Sequence, residues 1–454
     1  MTSLRLLLIM PAAGVHRLRV GRRWMSLREA PLTLTTLAAL VPPELDVDCR
    51  LIDESVDPLP KEYATGEWDL VGISCLTGTA PRAYALADQF RKRGIPVILG
   101  GVHVTLLPDE ARAHADAIVT GFAERAWPRL LKDFSVGRLA PRYDGGHPPL
   151  ADLPTPRRDL QRRGAYIMPD TVFATRGCRG GCDFCSVPAA RFGWGTRPVQ
   201  DVAREVAALR GRRFAFNDVN LTDDRDYALA LFRELAPLRK KWGGLATTRV
   251  ADDPELLTAL ERAGCVYLLL GFESVTGEGL AAMGKSFNQV DHYRRTVDRL
   301  HARGVTVQGC FIFGLDTDTP AVFSDTTRMV QKLGVDIPRY AVYTPYPGTK
   351  AFRRLERDGR LLHQNWAYYD TQHVVFTPAG MSPRELDTGF VDAYRRTFSI
   401  GAILSRVARS PHPLVTLTGS VAYRRYIARL LRERTGAPVR LKAPTYLETL
   451  AMTP

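Results

Sequence analysis

Nowhere in this 454-residue chain is there an apolar run long enough for a helix to cross a bilayer, so no transmembrane segment is expected. The N-terminal stretch Met1–Met10 has an apolar core of only five or six residues, too short for a secretory leader, and reads better as a buried first strand. Internal repeats and low-complexity tracts are missing, which removes solenoids and propellers. Cysteine is scarce, with seven residues, three of them crowded into one loop, so no disulfide framework is expected and a reducing, cytoplasmic setting follows. Acidic residues are outnumbered, 48 against 62 Lys and Arg, giving a formal net charge of +14. That excess suits an anionic substrate, a nucleic acid or an anionic membrane surface, and equally an arginine-rich solvated exterior. No RNA- or DNA-binding signature accompanies it, so no nucleic-acid partner is expected. Apolar content of 45% and charged content of 24% belong to an ordinary globular protein of two or three domains.

What is present is concentrated in Cys178-Arg-Gly-Gly-Cys182-Asp-Phe-Cys185, directly after the strand-like Thr171–Thr175. Glycines 177, 180 and 181 let the backbone turn tightly enough to aim several thiolates inward. Three thiolates can hold three corners of a cubane iron–sulfur cluster, leaving the fourth iron open to a substrate. A zinc knuckle or three unrelated cysteines are the alternatives, but zinc needs a fourth Cys or His nearby and no second C-x2-C pair occurs. Cys49, Cys75, Cys265 and Cys310 lie in apolar, strand-like runs and read as small buried residues.

The C-x3-C-x-aromatic-C loop, with Phe184 as its aromatic, resembles the cluster loop of the radical S-adenosylmethionine (SAM) superfamily. The resemblance implies a [4Fe-4S] cluster on Cys178, Cys182 and Cys185, SAM chelating the open iron, and reductive cleavage of SAM to methionine and a hydrogen-abstracting 5′-deoxyadenosyl radical. It also implies an electron donor such as flavodoxin or ferredoxin.

Residues 1–145 alternate short apolar runs (Leu4–Met10, Asp46–Ile52, Leu70–Ser74, Val97–Leu99, Ala117–Thr120) with helical patterns such as Pro81–Arg93. That alternation predicts an α/β, doubly wound, Rossmann-like parallel sheet, whose ligands bind past the carboxyl ends of the strands. Ser74, Thr77 and Gly78 follow the third run, Gly100, Gly101, His103 and Thr105 the fourth, and Gly121 and Glu124 the fifth. This series is similar to the cobalamin-binding domain that precedes many radical SAM domains, and the resemblance makes these nine residues cobalamin contacts. Two departures stand out. The Asp-x-His-x-x-Gly element that supplies a lower axial histidine is absent, which leaves the cobalt without a protein ligand, and the usual Gly-Glu-Gly-Glu is here Gly121-Phe-Ala-Glu124. His103 can equally be an ordinary loop histidine.

A proline-rich linker, 146–165, leads to residues 166–350, where strand-like runs begin near Val172, Phe214, Leu245, Val266, Val305 and Ala341. Six strand–helix units fit the partial (β/α)6 TIM-type barrel of the radical SAM family, whose chemistry sits at the strands' C-terminal ends. By resemblance the SAM contacts are Phe184, Asn217, Asp218, Arg249, Gly271, Glu273, Ser274 and Phe313. Individually, Phe313 reads as well as a core residue and Arg249 as an ion-pair partner. Residues 351–454 turn helical and basic, and Leu404–Arg409 and Tyr423–Arg434 form amphipathic helices that pack on their own domain or lie on an anionic membrane.

The layout resembles a cobalamin-dependent radical SAM enzyme, foremost a C-methyltransferase acting on an unactivated carbon of a small molecule that is anionic or partly apolar. The alternatives are an oxidative cyclase or rearrangement enzyme with the same cofactors, and a non-catalytic iron–sulfur or cobalamin sensor. No residue stands out as an acid–base catalyst.

Overall fold

The computed structural model describes residues 3–12, 17–20 and 23–435. These fall into two compact units. The first holds the described residues up to Gly180, with Cys185–Val219 and Tyr346–Thr349; the second holds Gly181–Phe184, Asn220–Pro345 and the described residues from Lys350 onward.

In the first unit, β1 (Leu4–Met10), β2 (Val47–Asp53), β3 (Leu70–Ser74), β4 (Val97–Gly100), β5 (Ala117–Thr120) and β6 (Arg142–Asp144) form one sheet in the order β2-β1-β3-β4-β5-β6. All its pairings are parallel. Leu6, Leu7, Leu8 and Ile9 are fully buried on both faces of β1, as a central parallel strand covered on two sides requires. Helices α1 (Thr33–Ala39), α2 (Ala80–Arg91), α3 (Val102–Leu106) and α4 (Ala123–Ser135) supply the cover. Leu86, Ala87 and Phe90 of α2 pack on Val71, Ile73 and Leu99, while Leu34 of α1 and Trp127, Leu130 and Leu131 of α4 pack on Leu6, Leu8, Ile98 and Val119. The expected doubly wound sheet is therefore present, with β6 as an edge strand that its polar sequence did not announce. The chain departs to opposite sides after β1 and β3, the switch point at which open α/β sheets bind ligands.

The same unit contains the parallel pair β7 (Thr171–Val172) and β8 (Arg213–Phe216), and an antiparallel pair of Thr175–Gly177 with Trp194–Thr196. Gly177 has φ +77°, and a Cβ there would stand 1.6 Å from the Gly193 carbonyl oxygen, so only glycine allows this approach just before Cys178.

In the second unit, β9 (Lys241–Ala246), β10 (Cys265–Glu273), β11 (Thr306–Phe313) and β12 (Ile337–Val342) lie side by side, all parallel. Helices α5 (Arg225–Leu235), α6 (Pro254–Arg262), α7 (Tyr293–His301) and α8 (Ala321–Leu333) alternate with them, the right sequence of elements for βαβ units. Side chains alternate along β10: Leu268, Leu270 and Phe272 are buried, and Phe272 stacks on Phe311 with ring centroids 5.5 Å apart. Helices α9 (Lys350–Arg357), α10 (Pro383–Thr397), α11 (Ile400–Arg409) and α12 (Pro413–Thr435) complete the unit.

Candidate functional site

At the carboxyl ends of β3, β4 and β5 the first unit has an open cavity of about 310 Å³. Ser74, Gly100, Gly101, Gly121 and Glu124, five of the nine residues expected to meet cobalamin, line it. The cavity runs along the sheet past Gly72, Ile98 and Val119 to Leu37 and Leu40 on α1's side and Trp127 of α4. Glycine is what keeps it open. A Cβ on Gly72 would press to 2.7 Å from Leu8 and 3.3 Å from Trp127, and one on Gly101, at φ +103°, would lie 2.5 Å from the Cys75 carbonyl oxygen. Glu124 is buried and accepts from Arg176 Nη2 at 3.1 Å, while the guanidinium lies 4.0 Å from the centre of the Phe173 ring. The sequence gives no hint of Arg176, because its partner is 52 residues earlier on another element.

Thr77, Gly78, His103 and Thr105 do not line the cavity. His103, taken from the sequence as a cobalamin contact, is fully buried: Nδ1 lies 3.3 Å from Thr77 Oγ1 and Nε2 3.2 Å from Glu110 Oε1. With both ring nitrogens engaged, it braces the loop after β4. Thr105 accepts from the Gly121 amide at 3.1 Å and donates to the Gly101 carbonyl at 3.0 Å, tying the two glycine turns of the cavity rim together.

Thr175, Arg176 and Gly177 also line the cavity, and Cys178 follows them immediately. Asp218, expected to contact SAM, instead clamps this strand. It is buried, accepts from the Ala174 amide at 3.1 Å and from the Thr175 hydroxyl at 2.7 Å, and also takes the Thr175 amide. Burial pushes its carboxyl up to about 6 against the lowering effect of those donors. Asn217, also expected at SAM, lines the same cavity and donates to the Ala30 carbonyl at 3.1 Å.

Cys178 and Cys185 belong to the first unit and Cys182 to the second; all three are half-buried. Cys178 Sγ accepts from the Gly180 amide at 3.2 Å. Among the described residues no three His, Cys, Asp or Glu side chains converge as on a single ion. A cubane gives each thiolate its own iron, so three cluster cysteines have no need to meet at one point. The donor set fits such a cluster: sulfur only, in a loop that glycine makes pliable. By contrast, burial raises the thiols of Cys49 and Cys75 to about 12 and that of Cys310 to about 11, leaving them inert.

Within the second unit Asp183, between Cys182 and Phe184, is an anchor that sequence reading missed. Its Oδ2 accepts from Tyr343 Oη at 2.7 Å and from Arg354 Nη1 at 3.1 Å, and its backbone bonds to Met283 and Ala351. Phe184 meets Tyr343 edge-on, ring centroids 6.1 Å apart. Glu273 sits at φ +66°, where β10 bulges, and pairs with Lys285 Nζ at 2.6 Å. A Cβ on Gly271 would lie 2.3 Å from that carboxylate, which explains the glycine. Burial opposes the charge on Lys285, but Glu273 and the nearby Cys182 outweigh it and its pKa is raised. Ser274 accepts from the Thr276 amide at 3.1 Å, Arg249 stacks 4.5 Å from the Phe287 ring centre, and Phe313 is fully buried between Phe323 and Tyr340. Ser274 and Phe313 are thus engaged in local structure and core, and the Phe313 carbonyl accepts from the Tyr343 amide at 2.8 Å.

Comparison with known proteins agrees with this geometry. Residues 27–131 match the B12 binding domain, and residues 172–330 match the radical SAM superfamily. The chain is 29% identical over 397 residues to bacteriochlorophyllide d C-12(1)-methyltransferase of Chlorobaculum tepidum, covering 84% of this chain and 85% of the relative. It is 29% identical over 425 residues to the C-8(2)-methyltransferase of the same organism, covering 88% and 92%. The anaerobic magnesium-protoporphyrin IX monomethyl ester cyclase of Rubrivivax gelatinosus is 27% identical, covering 79% and 71%. Among solved structures, the radical SAM methyltransferase TsrM of Kitasatospora setae, with tryptophan and a SAM analogue bound, shares the fold with a TM-score of 0.65 at 16% identity, over 95% of this chain and 100% of that one. The cofactors are a [4Fe-4S] cluster, SAM and cobalamin. The chain is an enzyme of the radical SAM superfamily, its radical SAM domain preceded by a B12-binding domain.

Proposed function

We propose that this enzyme is a cobalamin-dependent C-methyltransferase of the cytoplasm, acting on an unactivated carbon of a tetrapyrrole or a similarly amphiphilic carboxylate. The observation that carries this reading is the shared wall: the strand Thr175–Gly177 borders the cavity past β3–β5 and runs without interruption into Cys178. Residues 1–145 would hold cobalamin, 146–165 join the halves, 166–350 hold the cluster and SAM, and 351–454 bear on substrate choice. Bound together, the cluster with SAM would supply hydrogen abstraction, and cobalamin a transferable methyl group.

The chain's own part is binding, orientation and the exclusion of water. Gly100, Gly101 and Gly121 let backbone approach a large planar ligand, Leu37, Leu40, Ile98, Val119 and Trp127 keep the depth of the cavity dry, and Glu124 holds Arg176 at its mouth. Asp218 fixes the strand between cavity and cluster loop. Cys178, Cys182 and Cys185 would hold the iron. SAM would lie against Arg249, Gly271 and Glu273 and the backbone near Phe313. A one-electron donor of the flavodoxin or ferredoxin kind would start each turnover. The tetrapyrrole assignment follows from the methyltransferases of Chlorobaculum tepidum, whose names specify bacteriochlorophyllide d.

The test is anaerobic reconstitution with iron, sulfide and hydroxocobalamin, then turnover with methyl-labelled SAM, a low-potential reductant and a chlorophyllide. Labelled methyl in the product together with 5′-deoxyadenosine is the expected result. The similarity to the cyclase supports a second reading, for which deoxyadenosine would form and the product would lose hydrogen without gaining label.

A further inference from the structure

Helix α12 begins inside out. In its first three turns the small polar residues Thr416 and Ser420 are fully buried, with Thr416 Oγ1 2.7 Å from Ser410 Oγ, while Leu414, Val415, Leu417 and Val421 face outward. Leu414 is 77% exposed. On the neighbouring α11, Ile400 and Leu404, one turn apart, are exposed by 66% and 60%. A globular protein gains nothing by turning a leucine-rich helical stripe outward and its hydroxyls inward, so six large apolar side chains on two adjoining helices mark an interaction surface.

Charge says what it meets. Residues 395–432 contain eight arginines and no Asp or Glu. The outward stripe of α12 continues at three- and four-residue steps from Leu414, Leu417 and Val421 to Arg425, Ala428 and Arg432, all exposed, while Tyr426, Ile427 and Leu430 face the core. One helix face is therefore apolar at its start and basic at its end. No described helix is long and apolar enough to cross a membrane.

We infer that the outer face of α11 and α12 docks the enzyme on an anionic lipid bilayer, with Ile400, Leu404, Leu414 and Leu417 entering the acyl boundary and Arg425 and Arg432 on the headgroups. Apolar burial and headgroup attraction are the two terms that hold peripheral helices at such an interface. The arginine-rich second half makes an acidic surface the better partner than a neutral one. This surface lies outside the site described above, and its occupancy is independent of the reaction catalysed there.

The test uses the full-length, iron-loaded protein in vesicle flotation, with phosphatidylcholine alone and with phosphatidylcholine containing about one third phosphatidylglycerol. The expected result is flotation with the anionic vesicles, at least ~10-fold weaker with the neutral ones, and reduced by salt near ~0.5 M. Leu414→Asp with Leu417→Asp, and separately Arg425→Glu with Arg432→Glu, should each abolish flotation while iron content and thermal midpoint stay unchanged, since all four side chains are exposed. Wild-type protein that stays in solution with both vesicles overturns the proposal. Equal flotation on both vesicles, insensitive to the arginine changes, overturns the charge argument. A concentration-dependent dimer that Leu414→Asp with Leu417→Asp breaks, without flotation, assigns the face to a second copy of the chain instead.

Discussion

Asp218 shows how a residue expected at a ligand can act through the backbone. Its carboxyl, raised to about 6 by burial, receives two amides and a hydroxyl from the strand that leads into the cluster loop. Because the folded state holds this proton more tightly than the unfolded chain, Asp218 favours the fold at low pH, and that contribution is lost as pH rises from the ordinary carboxyl value of 3.8 through about 6. The difference in stability between wild type and Asp218→Asn should therefore shift against wild type across this interval and level off above it, read from denaturant midpoints at several pH values. Lys285 and Glu273 carry the opposite lesson. Both side chains are 11% exposed, and the pair closes at 2.6 Å. Lys285→Met leaves a buried carboxylate at the β10 bulge unpaired and should cost about 3–5 kcal/mol. Adding Glu273→Gln should recover most of that loss, whereas a double variant as unstable as the single one would show that the lysine stem, not the charge pair, matters there. His103, by contrast, looked in sequence like a ligand residue because it follows two glycines after a strand. Only the fold reveals that Thr77 and Glu110 occupy its ring.

At the scale of elements, the parts written locally were the parts that could be read. Strands β1–β5 announce themselves as short β-branched or leucine runs, and the expected helix over 81–93 is found as Ala80–Arg91 with its apolar side buried. The runs expected near Val172, Phe214, Leu245, Val266, Val305 and Ala341 all coincide with or adjoin parallel strands. The glycine rim was legible because φ +103° at Gly101 and +73° at Gly121 admit few other residues. Long-range anchors were not. Asp183 finds Tyr343 160 residues later and Arg354 171 residues later, and nothing in a three-residue window around Cys182 encodes that. Arg354 and Tyr343 share one carboxylate oxygen, with Arg354 Nη2 also 3.2 Å from Tyr343 Oη, so the three groups form one network holding the loop between Cys182 and Cys185. Arg354→Leu should leave that network with a single donor and destabilise it by about 1–3 kcal/mol. The sensitive readout is the rate of iron release to a chelator, which should rise several-fold at unchanged initial iron content. An unchanged release rate would mean that the cluster loop is held by its backbone bonds to Met283 and Ala351 alone.

At the scale of the whole molecule, the cavity and the cysteine loop draw on different side chains, so the cofactors should be experimentally separable. Every residue lining the 310 Å³ cavity belongs to the first unit, from Thr33 to Val219, and none of them is a cluster cysteine. Cys182, proposed as a cluster ligand, lies in the second unit, while Cys178 and Cys185 lie in the first. Cys182→Ala should therefore lose iron and all SAM cleavage, yet retain cobalamin close to one per chain. Gly101→Ala should do the reverse. Its Cβ would press against the Cys75 carbonyl oxygen at 2.5 Å in a left-handed backbone conformation, a strain of about 1–3 kcal/mol placed at the cavity rim. Cobalamin retention should fall while iron content and reductive cleavage of SAM to 5′-deoxyadenosine persist. Such a variant would sever methyl transfer from radical generation, and the fate of the substrate would then be informative: deoxyadenosine formed without methylated product assigns the transferred carbon to the first unit's cavity. If both variants lost both cofactors, the strand Thr175–Gly177 that borders the cavity and leads into Cys178 would be acting as a single folding element for the two sites, and the clamp at Asp218 would be the place to look for the coupling.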